Sequence, residues 1–86
     1  MFTGPANELR SVATDALADG RLDNTWTALE AVRGIEHGDN RDTLTVRAAY
    51  YERTGDTARA ASVTRRAVRR GHALSVAAFL RGVWNH

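Results

Sequence analysis

Arg65, Arg66, Arg69 and Arg70 fall in one short stretch, with Arg59 and His72 close by. On a helix the pairs 65/69 and 66/70 are i, i+4 neighbours, so these guanidinium groups form a basic ridge. Such a ridge could neutralise phosphates or meet an acidic protein surface. The plainer role comes first: Arg in the last turns of a helix meets the negative end of its dipole and stays solvated. No aromatic residue interleaves the run to stack bases, which places an acidic protein partner second and nucleic acid third. A helix-turn-helix, with residues 57–70 reading DNA behind the Thr54-Gly55-Asp56 turn, offers only Arg59 as a credible base reader.

The remaining reactive side chains do not assemble into a site. His37, His72 and His86 are far apart, two of them at turn positions, and the sequence has no cysteine. No metal site is expected from them, and disulfides are excluded. Asp15 with Asp19, and Glu52 with Asp56, are i, i+4 acidic pairs, each at a helix end facing solvent. Neither a nucleophile with a His and an orienting acid nor a Gly-rich phosphate loop is present. The sequence therefore predicts no enzyme, no catalytic residue and no cofactor.

Charge is unevenly distributed. Residues 1–43 carry a net −4 and residues 44–86 a net +6, which make the chain's +2, and all twelve basic residues are arginine. A dipolar chain of this kind could associate head to tail or present its basic half to an acidic partner. No apolar run is long enough to span a bilayer, and the N-terminal MFTGPANELR lacks the basic and apolar regions of a signal peptide. The expectation is a cytoplasmic protein without a membrane partner.

The elements that must position these residues read as helices throughout. The 86 residues make one small domain with a single proline, Pro5. Leu9, Val12, Ala13, Ala16 and Leu17 form one helical stripe over 6–19, with Thr3 as a possible N-cap and Gly20 as the stop. Asp23 or Asn24 should cap a second helix running to about Arg33, with Trp26, Leu29 and Val32 inward and Gly34 beyond its end. Trp26 is expected as a core anchor between helices one and two. Asp39 or Asn40 caps a third helix with Leu44, Ala48 and Tyr51 inward. Asp56 or Thr57 caps a fourth with Ala60, Val63 or Thr64, Ala67 and Val68 inward. A fifth, from Ala73 to about Trp84, is apolar nearly all round, so it either plugs an end of the domain or packs against a second chain. The predicted organisation is a hairpin over 6–34, a hairpin over 40–71 and a terminal helix over 73–84.

Shifting the chain by 35 residues superposes Leu9 on Leu44 and Phe79, Ala13 on Ala48 and Val83, and Gly20 on Gly55. Through Leu44, Ala48, Tyr50-Tyr51, Gly55-Asp56, Ala60 and Ala67, the second unit resembles the tetratricopeptide repeat family, whose period is about 34 residues. The first unit follows with Leu9, Ala13, Ala16, Gly20 and Val32. Arg47 stands where that pattern is usually apolar, Thr64 where it is usually aromatic, and Thr25 where a small Ala is expected. The resemblance implies an all-α array of five helices, antiparallel hairpins stacked so that the first helix of each pair lines a concave groove. It also implies a scaffold that binds proteins or peptides. Carried onto this chain, the groove would be lined by Asn7, Arg10, Thr14 and Leu17, by Asp42, Thr45, Ala49, Glu52 and Arg53, and by Ala77, Leu80 and Trp84.

Two such units and one further helix fall short of the roughly three repeats a stack needs. Leu80, Val83 and Trp84 left uncovered would form an apolar patch of the kind that marks an interaction site. The expected function is a small protein-interaction or adaptor domain, self-associating through its C-terminal helix. The partner surface comprises Arg10, Thr14, Thr45, Glu52, Arg53, Leu80, Val83 and Trp84. Arg59, Arg65, Arg66, Arg69 and Arg70 are held for an acidic partner or phosphate. An arginine-driven nucleic-acid-binding protein is the alternative.

Overall fold

Helix formation starts at Pro5, whose ring fixes φ and whose missing N–H costs nothing at a helix start. The computed structural model describes residues 4–36, 40–72, 74 and 76–84. Five helices follow in order: α1 (Pro5–Ala18), α2 (Leu22–Glu36), α3 (Arg41–Thr54), α4 (Thr57–Arg69) and α5 (Val76–Trp84). No strand occurs among the described residues. The all-α class with five helices is as the sequence predicts, and the pairs α1–α2 and α3–α4 pack as two hairpins.

Both hairpin turns use the same stop. After α1, Gly20 N–H donates to Leu17 O and Arg21 N–H to Ala16 O; after α3, Gly55 N–H donates to Glu52 O and Asp56 N–H to Tyr51 O. These are Schellman motifs, which need a left-handed residue just past the helix. Gly20 and Gly55 supply it, with φ of 75° and 80°. Asp56 leaves the second turn as the N-cap of α4, its carboxylate accepting from Arg59 N–H, and Asn40 does the same for α3 with Asp42 and Thr43 N–H.

Several boundaries differ from the sequence reading. Gly4, rather than Thr3, is the N-cap of α1, and no side chain caps it; Thr3 itself lies outside the described residues. Neither Asp23 nor Asn24 caps α2, because the helix begins at Leu22 and Arg21 O already accepts from Thr25 N–H. Gly34 does not end α2; the helix continues through it to Glu36, whose carboxylate is tied down by Arg10. Of the expected start of the last helix, Ala73 and Ser75 lie outside the described residues, Leu74 is not helical, and α5 begins at Val76.

The centre of the molecule is α3, which packs against all four other helices. Its two sides meet different apolar clusters. On one side Val46 joins Ala13, Ala28 and Leu29, with Tyr50 and Phe79 against them. On the other, Leu44 and Ala48 join Val63 and Ala67, with Tyr51, Leu74 and Val76 against them. Small residues are needed at these contacts because they let helix axes approach, and Ala13, Ala48, Ala49 and Ala67 are at most 1 % exposed. Thr25 is also buried, with its hydroxyl donating to Arg21 O, so its polar atom is satisfied.

Three expected core residues are elsewhere. Val12 and Val68 are 53 % and 66 % exposed. Each belongs to the apolar stripe by spacing, but the smaller Ala13 and Ala67 beside them take the contact. Thr64 is exposed and bonds back to Ala60 O, while Val63 is buried.

Candidate functional site

No packing joins α2 to α4 among the described residues, although both lie against α3. The gap is a cleft of about 850 Å³, a size that ligand-binding cavities commonly have. One wall is α2, with Trp26, Glu30, Val32, Arg33 and Gly34. The floor is α3, with Thr43, Leu44, Arg47 and Tyr51, and the other wall is α4, with Arg59, Ser62, Val63 and Arg66. On α4 these positions recur at i, i+3, i+4 and i+7, a single helix face.

Aromatic and cationic groups interlock at one edge of this cleft. The Trp26 ring lies 5.4 Å from the Tyr50 ring and 6.2 Å from the Tyr51 ring, both tilted. The Arg47 guanidinium carbon sits 5.4 Å from the Trp26 ring centroid, a cation–π distance. Trp26 thus joins α2 to α3 and is half-buried. It does not anchor helices one and two in the core, because the cleft leaves one side of α2 without a neighbour.

The cleft is rich in positive charge. Four arginines line it against one acidic residue, Glu30. Arg33 pairs with Glu30 at 3.7 Å and Arg59 with Asp56 at 3.5 Å, both i, i+3 pairs in which the arginine is exposed and the acid partly buried. The sequence-predicted ridge is therefore divided. Arg59 and Arg66 face the cleft, whereas Arg65, Arg69 and Arg70 are exposed outside its lining.

The groove expected on α1 and α3 exists only in part. Arg10, Thr14 and Thr45 do come together, with Asn7, Ser11, Asp42 and Val46, around a depression of about 300 Å³. Phe79 of α5 completes its lining, because α5 folds back across α3 and α1. Leu17 and Ala49, expected as groove lining, are completely buried. Glu52 is exposed and outside the depression. Leu80 is half-buried on α5, and the side chains of Ala77, Val83 and Trp84 lie outside the described residues.

Two arginines of that predicted surface hold the fold together. Arg10, with its side chain 11 % exposed, pairs with Glu36 and also donates to Thr43 Oγ1 at 3.2 Å and to Asn7 Oδ1. The Thr43 hydroxyl donates to the same Glu36 oxygen at 3.4 Å, so α1, α2 and α3 share one polar network. Near the opposite end of α3, Arg53 donates to Leu17 O at 3.2 Å, a second bond to the carbonyl that also accepts from Gly20 N–H at the end of α1.

Sequence reasoning missed the cleft because Arg33, Arg47 and Arg66 are distant along the chain. One signal was present: Arg47 interrupts an otherwise apolar repeat position, and it is the cation on the cleft floor. Among the described residues no cluster of His and acidic side chains could hold a metal ion, and no helix is long and apolar enough to cross a membrane. No family model, curated protein or solved structure matches the chain.

Proposed function

We propose that this chain is a protein-interaction module, a short tetratricopeptide-like array that takes a segment of a partner protein in the cleft between α2 and α4. The observation that carries the reading is the separation of these two helices over a shared floor, leaving a cleft of about 850 Å³ with both apolar and charged walls. The repeated glycine stop after α1 and α3, and the insertion of α3 against both helices of the first hairpin, support the array. Self-association through α5 was expected at Leu80, Val83 and Trp84, a different set from Val76 and Phe79, which pack against the chain's own clusters.

A photo-crosslinking side chain placed at Ser62, which lines the cleft, tests this against the same group at Ser11 on the α1 surface. Ser62 is expected to give discrete protein adducts in extract of the source cell that Ser11 does not. Identical adduct patterns from the two positions would overturn the assignment of the cleft.

A further inference from the structure

Resting on the cleft as the protein-binding surface, we infer that its occupant is an acidic segment of a partner protein whose carboxylates meet Arg33, Arg47, Arg59 and Arg66 around an apolar anchor. These four guanidinium groups come from three helices and converge through the fold, with Glu30 as the sole acidic residue of the lining. The ion pairs that Arg33 and Arg59 make are local, and those side chains remain 73 % and 72 % exposed. Exposed pairs of this type are weak, so both arginines can turn to an incoming carboxylate at small cost. A carboxylate matches the planar guanidinium fork with two parallel hydrogen bonds. Between the charges, the half-buried Tyr51 ring on the cleft floor offers apolar surface for an aliphatic side chain, beside the nearly covered Leu44 and Val63.

The same geometry disfavours a nucleic acid. Single strands bind on basic grooves whose aromatic rings are free to stack with bases. Here Trp26 is flanked by Arg47, Tyr50 and Tyr51 within 5.4 to 6.2 Å, so its ring is already engaged. The neighbouring Arg65 and Arg69 are a built-in control, since they carry the same charge on the same helix outside the cleft.

The test uses the full chain and a short fluorescein-labelled peptide of glutamates interrupted by leucines, titrated at low ionic strength. The double variant Arg59→Glu/Arg66→Glu should weaken binding by about tenfold or more, and Arg65→Glu/Arg69→Glu by less than about threefold. Far-UV helicity of both variants verifies that they fold. Equal losses from the two pairs would reduce the effect to general surface charge and overturn the inference. So would tighter binding of a single-stranded oligonucleotide that the cleft pair abolishes. Concentration-dependent self-association removed by the cleft pair would overturn it in favour of a second copy. Absence of peptide binding alongside Ser62-specific adducts would sink the acidic occupant while leaving the protein-binding cleft intact.

Discussion

The two sides of α3 began with comparable opportunities and ended differently. On the Val46 side, α5 returns across α1 and α3, Phe79 packs on the Ala13–Leu29 cluster, and a depression of only about 300 Å³ remains. On the Leu44 side, Val76 at the start of α5 packs on the Leu44–Ala67 cluster, but no helix covers the gap between α2 and α4, and about 850 Å³ stays open. The difference follows the chemistry of the walls. Apolar surface left in water is unfavourable and recruits the chain's own apolar helix. A gap edged by four arginines gains nothing from α5, which would have to desolvate their charges without offering an acid.

That contrast can be broken most strongly in the two clusters. Leu29→Ala on the closed side and Leu44→Ala under the cleft should each cost about 2–5 kcal/mol in chemical denaturation, since both side chains are at most 3 % exposed. A markedly smaller loss for Leu44 would mean that the cleft floor is not part of the shared core. Next, Arg10→Ala strands Glu36 and Thr43 in a partly buried network and should cost about 1–3 kcal/mol, whereas the exposed Glu52→Ala should change stability by no more than about 0.5 kcal/mol.

Gly55→Ala should cost about 1–2 kcal/mol through its left-handed backbone, because a Cβ there meets nothing within 4 Å and steric clash is not involved. Phe79→Ala should remove about 1–2 kcal/mol of half-buried apolar contact and raise amide exchange in α1 and α3 while leaving Trp26 emission unchanged. The smallest effect belongs to Arg47→Ala, about 0.5–1 kcal/mol from the lost cation–π contact, with a shift in Trp26 fluorescence as its signature.

Helix number, hairpin pairing and the stops at Gly20 and Gly55 were legible because each depends on residues within a turn or two. Asn40 and Asp56 likewise act on N–H groups two or three residues ahead. Boundaries failed where a distant partner intervened, as at Gly34, beyond which the helix reaches Glu36 and its ion pair with Arg10. Away from the cleft, Arg10, Thr14 and Thr45 line one depression, yet Arg10 serves the fold, and the basic ridge read as one feature is two. Val12 and Val68 show the limit of periodicity, which identifies an apolar stripe without deciding which of two adjacent residues takes the contact.

By itself the sequence determined the local matters: five helices, their glycine stops, the small residues at helix contacts, and an excess of arginine in the second half. Those properties are encoded in short-range backbone and side-chain preferences. Only the tertiary structure decided that α5 closes one side of α3 and that Arg33, Arg47, Arg59 and Arg66 meet across the other. Both outcomes depend on contacts between residues far apart in the chain, which short-range preferences do not specify.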